Sequence, residues 1–124
     1  MAKKAGRKSI LPDEAIINKI YLIREQKVML DKDLAVMYGI EVRVLNQSVK
    51  RNIDRFPKDF MFTLTQKEFQ HLKSQIVISS WGGSRKLPTA FTEQGVAMLS
   101  GVLNSPVAVQ VHILIIRIFT KIKE

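Results

Sequence analysis

The sequence predicts an α+β domain: a helix-turn-helix-like pair of helices braced by short β-hairpins, winged-helix-like in outline, with two further helices at the C-terminal end. Three observations carry this. The stretch from Asp31 to Asn52 holds two short amphipathic segments on either side of Gly39. Two runs, Ile20 to Leu30 and Phe60 to Leu64, are rich in the apolar and aromatic residues that favour strands. From Thr92 onward, apolar residues recur at helical spacing.

In the central stretch, Asp31 is placed to cap a first helix, on which Leu34, Ala35 and Tyr38 share one face. Gly39 stands where a helix needs a left-handed C-terminal residue. A second helix starts near Val42. With each residue turning a helix by about 100°, Val42, Leu45, Val49 and Ile53 cluster in a narrow arc, and Arg43, Val44, Gln47, Lys50 and Arg51 occupy the opposite one. A helix-turn-helix has this shape: its second helix buries one side and offers the other to the DNA major groove. Glycine-turned helix pairs also occur throughout helical proteins, and a basic outer face is often only a solvated one, so spacing alone leaves both readings open.

The 124 residues suffice for one domain with a single core, and a hydrophobic fraction of 46% argues against general disorder. Twenty Lys plus Arg against eleven Asp plus Glu give a formal charge of +9, which attracts polyanions such as DNA, RNA or an acidic membrane surface. With no cysteine there is no disulfide, thiolate metal site or Cys nucleophile. Met1 to Lys8 is basic but leads into Ser9-Ile10-Leu11-Pro12-Asp13-Glu14 and not into an apolar signal core. The apolar run Ile113 to Ile116 is closed by His112 and Arg117, far short of the ~20 residues that span a bilayer. A soluble, cytoplasmic protein with no membrane association is expected.

Three segments follow from composition. Residues 1–15 form a basic flexible arm carrying Lys3, Lys4, Arg7 and Lys8, able to lie along phosphates or simply to solubilise. Residues 16–105 form the domain. Within it the pattern turns β-like from Ile16; Ile20-Tyr21-Leu22-Ile23 and Lys27-Val28-Met29-Leu30 are paired as a hairpin around a three-residue loop, Arg24-Glu25-Gln26. Pro57 ends the second helix of the pair. Thr65 and Glu68 make a T-x-x-E capping box for a helix with Phe69, Leu72 and Ile76 inward. Trp81-Gly82-Gly83-Ser84-Arg85-Lys86 forms a turn-prone tip. If Phe60 to Leu64 pairs with the strand ending at Phe91, the tip projects like a wing, with Arg85 and Lys86 on a phosphate backbone and Trp81 either against a base or packed on the core.

Thr92 caps a helix through Leu103 with Val96, Leu99 and Leu103 inward, and Gly101 within it would allow a close helix contact. Ser105 as N-cap and Pro106 at the first helical position open the third segment, residues 106–124, an apolar helix for packing or dimerisation. Val107, Val111, Leu114, Ile118 and Ile122 fill one face, with Val109, Ile113 and Ile116 on the other side. A helix apolar on two sides must bury both.

Catalytic constellations are missing. His71 and His112 stand alone without H-E-x-x-H spacing, Asp31 and Asp33 lack further oxygen ligands, and the glycine tip does not have phosphate-loop spacing. No enzyme activity, cofactor, metal or small-molecule substrate is expected.

The run Val28-Met29-Leu30-Asp31, Asp33-Leu34-Ala35, Tyr38-Gly39, Leu45-Asn46, Val49-Lys50-Arg51-Asn52, Arg55-Phe56-Pro57, Asp59-Phe60-Met61-Phe62 and Leu64 resembles the ORF-six N-terminal domain, a phage- and mobile-element-associated family similar to the KilA-N and Bro-N domains. Ser79-Ser80, Gly82-Gly83, Arg85, Leu87-Pro88, Ala90-Phe91-Thr92-Glu93 and Gly95-Val96-Ala97-Met98-Leu99 continue the likeness, which covers roughly residues 16 to 105. The resemblance implies a KilA-N-like α+β domain taken to bind DNA, often at the front of phage antirepressors or transcriptional regulators. Glu25 departs from it, standing where the family pattern usually has Gly.

Together these readings make double-stranded DNA the expected partner, with Arg43, Val44, Gln47, Lys50, Arg51, Arg55, Arg85 and Lys86 as the contact residues. Asn46 and Asn52, at the edge of the buried arc, either brace the turn or read bases. A homodimer through 106–124 suits this reading, since two-fold symmetry doubles the contacts on a palindromic site. The competing expectation is a protein-interaction module that binds a repressor or other regulator through the C-terminal helix.

Overall fold

The computed structural model describes residues 13–75, 86–103 and 105–121. It is an α+β fold with a four-stranded antiparallel sheet in the order β1-β2-β4-β3. The described residues begin with a short helix, α1 (Asp13–Ile17), where a β-like pattern was expected from Ile16. Ile16 is fully buried, so its apolar character reflects packing of this turn and not strand alternation. α1 crosses the boundary drawn between residues 15 and 16.

β1 (Tyr21–Ile23) and β2 (Gln26–Leu30) form the expected hairpin, with Ile23 opposite Gln26. The loop is therefore two residues, Arg24 and Glu25, and not three. Both have positive φ, 57° and 63°, as a type I′ turn requires, because that turn's twist matches the strands. Non-glycine residues in this region cost about 1 kcal/mol or more each. The Arg24 guanidinium offsets part of that cost: Nε and Nη2 donate to the Glu68 carboxylate at 2.7 and 3.1 Å, and the group lies 4.0 Å from the Phe62 ring centroid.

Glu68 serves the next element too. Its Oε1 accepts the Thr65 N–H at 2.8 Å while Thr65 Oγ1 accepts the Glu68 N–H at 3.1 Å, the reciprocal capping box that opens α4 (Gln66–Gln75). The Arg24 hydrogen bond, with help from Thr65, pulls the Glu68 carboxyl down to about 2. A carboxylate depressed by folding stabilises the protein above its unfolded value and loses that contribution as pH falls through the folded one. Acid titration of stability should therefore show a component lost between about pH 4.5 and 2 that Glu68→Gln removes. Solvent screening of the half-exposed pair keeps its size to about 1 kcal/mol. An unchanged acid limb in Glu68→Gln would mean the pair contributes nothing.

β3 (Met61–Thr63) and β4 (Thr89–Thr92) pair antiparallel with Met61 opposite Phe91, as the wing reading requires. β4 also pairs with β2, Met29 opposite Phe91, joining the β1–β2 hairpin and the β3–β4 pair into one sheet. Both faces of its centre are covered. Met29 and Phe91 point into the main core with Leu34, Leu45, Val96 and Ile115, whereas Val28, Leu30 and Ala90 point the other way, against Phe69 and Leu72 of α4. Val28, Met29 and Leu30 are all fully buried, which is why this strand is a continuous apolar run and not an alternation. The expected tip, Trp81 to Arg85, and Ile76 lie outside the described residues.

α2 (Asp31–Tyr38) and α3 (Val42–Arg51) are the expected pair. Gly39 has φ 73°. The N–H groups of Gly39 and Ile40 donate to the carbonyls of Val36 and Ala35 at 3.1 and 3.0 Å, a Schellman closure. α3 stops at Arg51, short of Ile53, which sits in a 3-10 turn (Ile53–Arg55) and is 50% exposed. The break comes before Pro57. Asn52 leaves the helical region, and its Nδ2 donates to the Ser48 carbonyl at 2.8 Å.

Thr92 caps α5 (Glu93–Leu103), its Oγ1 accepting the Gly95 N–H at 3.3 Å, and Ser105 Oγ accepts the Ala108 N–H at 3.0 Å at the start of α6 (Pro106–Lys121). Two expectations here are corrected. Gly101 faces open space, and the glycine that permits a close approach is Gly95, packed on the backbone of Phe60. The inward seam of α6 is Ala108, Val111, Ile115, Ile118 and Phe119, with Val107 half-exposed. α6 lies against α5, α1 and α2, and Lys27 Nζ of β2 donates to the carbonyl of Phe119 near its C-terminus at 2.8 Å.

Candidate nucleic-acid interface

The position of α3 is set by its apolar arc. Leu45 and Val49 are buried in the main core, Val42 packs against it, and α3 lies against both α2 and α5. A polar tie adds direction to this apolar seating. Asp31 is the first residue of α2, not its cap; Leu30 holds the cap position in extended conformation without a side-chain bond. The Asp31 side chain is instead turned toward α3. Oδ1 accepts the Lys32 N–H at 2.9 Å and Oδ2 accepts Asn46 Nδ2 at 3.0 Å, in a residue only 6% exposed. The carboxylate thus sits at the positive end of α2 and anchors the middle of α3. Asn46 uses its side-chain amide to tie α3 to α2, whereas Asn52 uses its own to close the last turn of α3 on Ser48. The Asp31–Asn46 tie has no local signature, because its partners are separated by a helix and a turn.

With one arc held, the other is presented outward. Arg43, Gln47, Lys50 and Arg51 are exposed and Val44 is 37% exposed, with Arg55 exposed in the following 3-10 turn. No carboxylate lies within α3. Two carboxylates adjoin it: Asp31, held by Asn46 and lining the groove beside α3, and Glu41, which accepts Arg43 Nη2 at 2.8 Å. The Glu41 and Arg43 side chains are both more than two-thirds exposed, so the pair is worth well under about 1 kcal/mol and opens readily for a stronger anion. Lys50 and Arg51 fall in the last turn, where cations are favoured by the helix dipole.

Lys86, Leu87 and Pro88 lead into β4 and pass beside α3. Between them and Lys32, Arg43, Gln47 and Lys50 runs an open groove of about 570 Å³. Of the expected contact residues, the structure therefore brings Arg43, Gln47, Lys50 and Lys86 to one groove. Val44, Arg51 and Arg55 are exposed but do not line it, and Arg85 lies outside the described residues. Lys32, missed from the sequence, joins the rim; its signal was its place beside Asp31 at the start of α2.

Other titratable groups are perturbed by burial. Desolvation raises the Asp33 carboxyl despite Lys19 at 3.8 Å, raises the Tyr38 phenol, and lowers the His112 imidazole. Among the described residues, no group of three or more His, Cys, Asp or Glu is arranged to hold a metal ion, and no helix is long and apolar enough to cross a membrane.

Comparison with known families finds that the model of the ORF6N domain matches residues 18–102, from the turn after α1 to the penultimate residue of α5. Comparisons with curated proteins and with solved structures return no match. With most of its length matched, the chain belongs to the ORF6N domain family.

Proposed function

We propose that this protein binds double-stranded DNA sequence-selectively through the outer face of α3, without chemistry, as a phage- or mobile-element-type transcriptional regulator or antirepressor. The observation that supports this best is the acid-free outer arc of α3, held in place by a buried opposite arc and flanked by Lys86 across one groove. A helix with its side chains is about 10–12 Å across, and the major groove is about 12 Å wide. In this reading Arg43 or Arg51 pairs with guanine, Gln47 with adenine, and Val44 meets a thymine methyl. Lys50, Arg55, Arg85, Lys86 and the basic arm hold phosphates, which set register and carry the salt dependence.

Fluorescence anisotropy with duplex DNA across a salt series tests the proposal. Lys50→Ala should weaken binding to all sequences alike and reduce the salt slope by about one unit, whereas Arg51→Ala should cost about 1–3 kcal/mol at one base position. Undiminished affinity in the double variant Lys50→Ala with Arg51→Ala at moderate salt would remove α3 from the interface.

A second reading, a module that binds a repressor or other regulator through α6, is favoured by Val109 and Ile113, which are 50% and 44% exposed. It predicts a protein complex insensitive to salt and to changes in α3.

A further inference from the structure

The outer side of α6 carries a second apolar stripe that the other described residues leave largely exposed. Pro106, Val109, Ile113, Ile116 and Thr120 follow one another at alternating intervals of three and four residues, the spacing of a coiled-coil seam. Offset by two residues from the buried seam of Val111, Ile115 and Ile118, the stripe lies about 160° around the helix from it. Val109 and Ile113 are about half exposed, Pro106 and Thr120 are exposed, and Ile116 is half-buried outside the core. No charge interrupts the stripe.

We propose that this stripe is the contact between two copies of the chain, paired antiparallel about a two-fold axis at Ile113. The stripe is self-complementary in a way that a surface for an unrelated partner need not be. Turning it end over end about Ile113 places Ile113 on Ile113 and Pro106 on Thr120, and brings Val109 within one residue, about 1.5 Å along the axis, of Ile116, so apolar centre meets apolar centre and the uncharged ends meet each other. An isologous interface demands this correspondence.

Charge selects the direction. The charged residues of α6 are Arg117 and Lys121, both toward its C-terminus, and the helix has no acid. A parallel pair would set Arg117 beside Arg117 and Lys121 beside Lys121. In the antiparallel pair the two Arg117 Cα positions lie about 12 Å apart along the axis and the two Lys121 about 24 Å, beyond the ~8–10 Å screening length of physiological salt. Arg117 then flanks Val109 of the other copy, where its methylene stem covers apolar surface while the guanidinium stays in water. The inference is independent of the DNA reading, and would make that reading bivalent.

The chain has no cysteine, so a single introduced thiol reports on geometry cleanly. Sedimentation of the full chain should show a concentration-dependent dimer that Ile113→Glu converts to a monomer with unchanged circular dichroism. Under mild oxidation Ile113→Cys should form a disulfide-linked dimer rapidly, and Arg117→Cys should not. A wild-type chain that stays monomeric at its highest soluble concentration, or a dimer unaffected by Ile113→Glu, overturns the proposal. Faster cross-linking of Arg117→Cys than of Ile113→Cys overturns the antiparallel pairing. DNA affinity lost in Lys50→Ala with Arg51→Ala but a dimer retained would show the two surfaces to be separate.

Discussion

Gly95→Ala should destabilise the protein by about 3–5 kcal/mol, a large share of the ~5–15 kcal/mol that holds a domain together. A Cβ at this position would overlap the carbonyl oxygen of Phe60. That oxygen cannot simply move aside, because it accepts the Thr92 N–H at 3.0 Å, and the Thr92 hydroxyl in turn donates to the Asp59 carbonyl at 2.8 Å and accepts the Gly95 N–H. Displacing Phe60 therefore loosens the start of β3, the end of β4 and the cap of α5 together. Thermal melting should fall by about 10 °C or more. Gly101→Ala is the matched control: it meets open space in an exposed helix interior and should stabilise by about 0.5–1 kcal/mol. Should Gly95→Ala melt within about 2 °C of the parent, the close approach would not be a real constraint.

Asp31→Ala should cost about 2–4 kcal/mol. It removes two hydrogen bonds to a charged acceptor and a negative charge from the first turn of α2, in a residue almost fully buried. Asn46→Ala should cost about 1–3 kcal/mol, because it leaves the buried carboxylate without one of its donors. The two losses should not add. A double-mutant cycle in urea should return a coupling of about 1 kcal/mol or more, whereas independent sites stay within about 0.3–0.5 kcal/mol of additivity. Additive losses would mean that the bond between α2 and α3 contributes no energy of its own, and that the apolar arc alone seats the candidate DNA-facing helix.

Features whose cause is local were legible in the chain. Gly39 is left-handed, Thr65 and Glu68 cap each other, and Thr92 and Ser105 cap α5 and α6. Each involves groups within a few residues, so spacing carries the information. The outward arc of α3 was legible for the same reason, since Leu45 and Val49 must be buried and the helical turn then dictates what faces away.

What failed was decided at a distance. The hairpin loop is two residues because pairing of Ile23 with Gln26 sets the register, and Arg24 tolerates positive φ with Glu68, far along the chain, to hold it. Asp31 was read as a cap, yet its carboxylate is claimed by Asn46 from the next helix. α1 has no signature in the chain: Asp13 to Ala15 read as the end of the basic arm and Ile16 as the start of a β-like run, because a single buried Ile16 cannot reveal a period.

The chain by itself therefore determined the helix pair, the caps of α4, α5 and α6 and the cationic outer face of α3, since periodicity and capping are properties of neighbouring residues. Only the tertiary structure decided that β4 joins the β1–β2 hairpin to β3 in one sheet, that Gly95 and not Gly101 is the tight contact, and that Lys32 and Lys86 meet α3 across a groove. Those outcomes depend on which distant surfaces pack together, and free energy of packing is shared among residues that no local window contains.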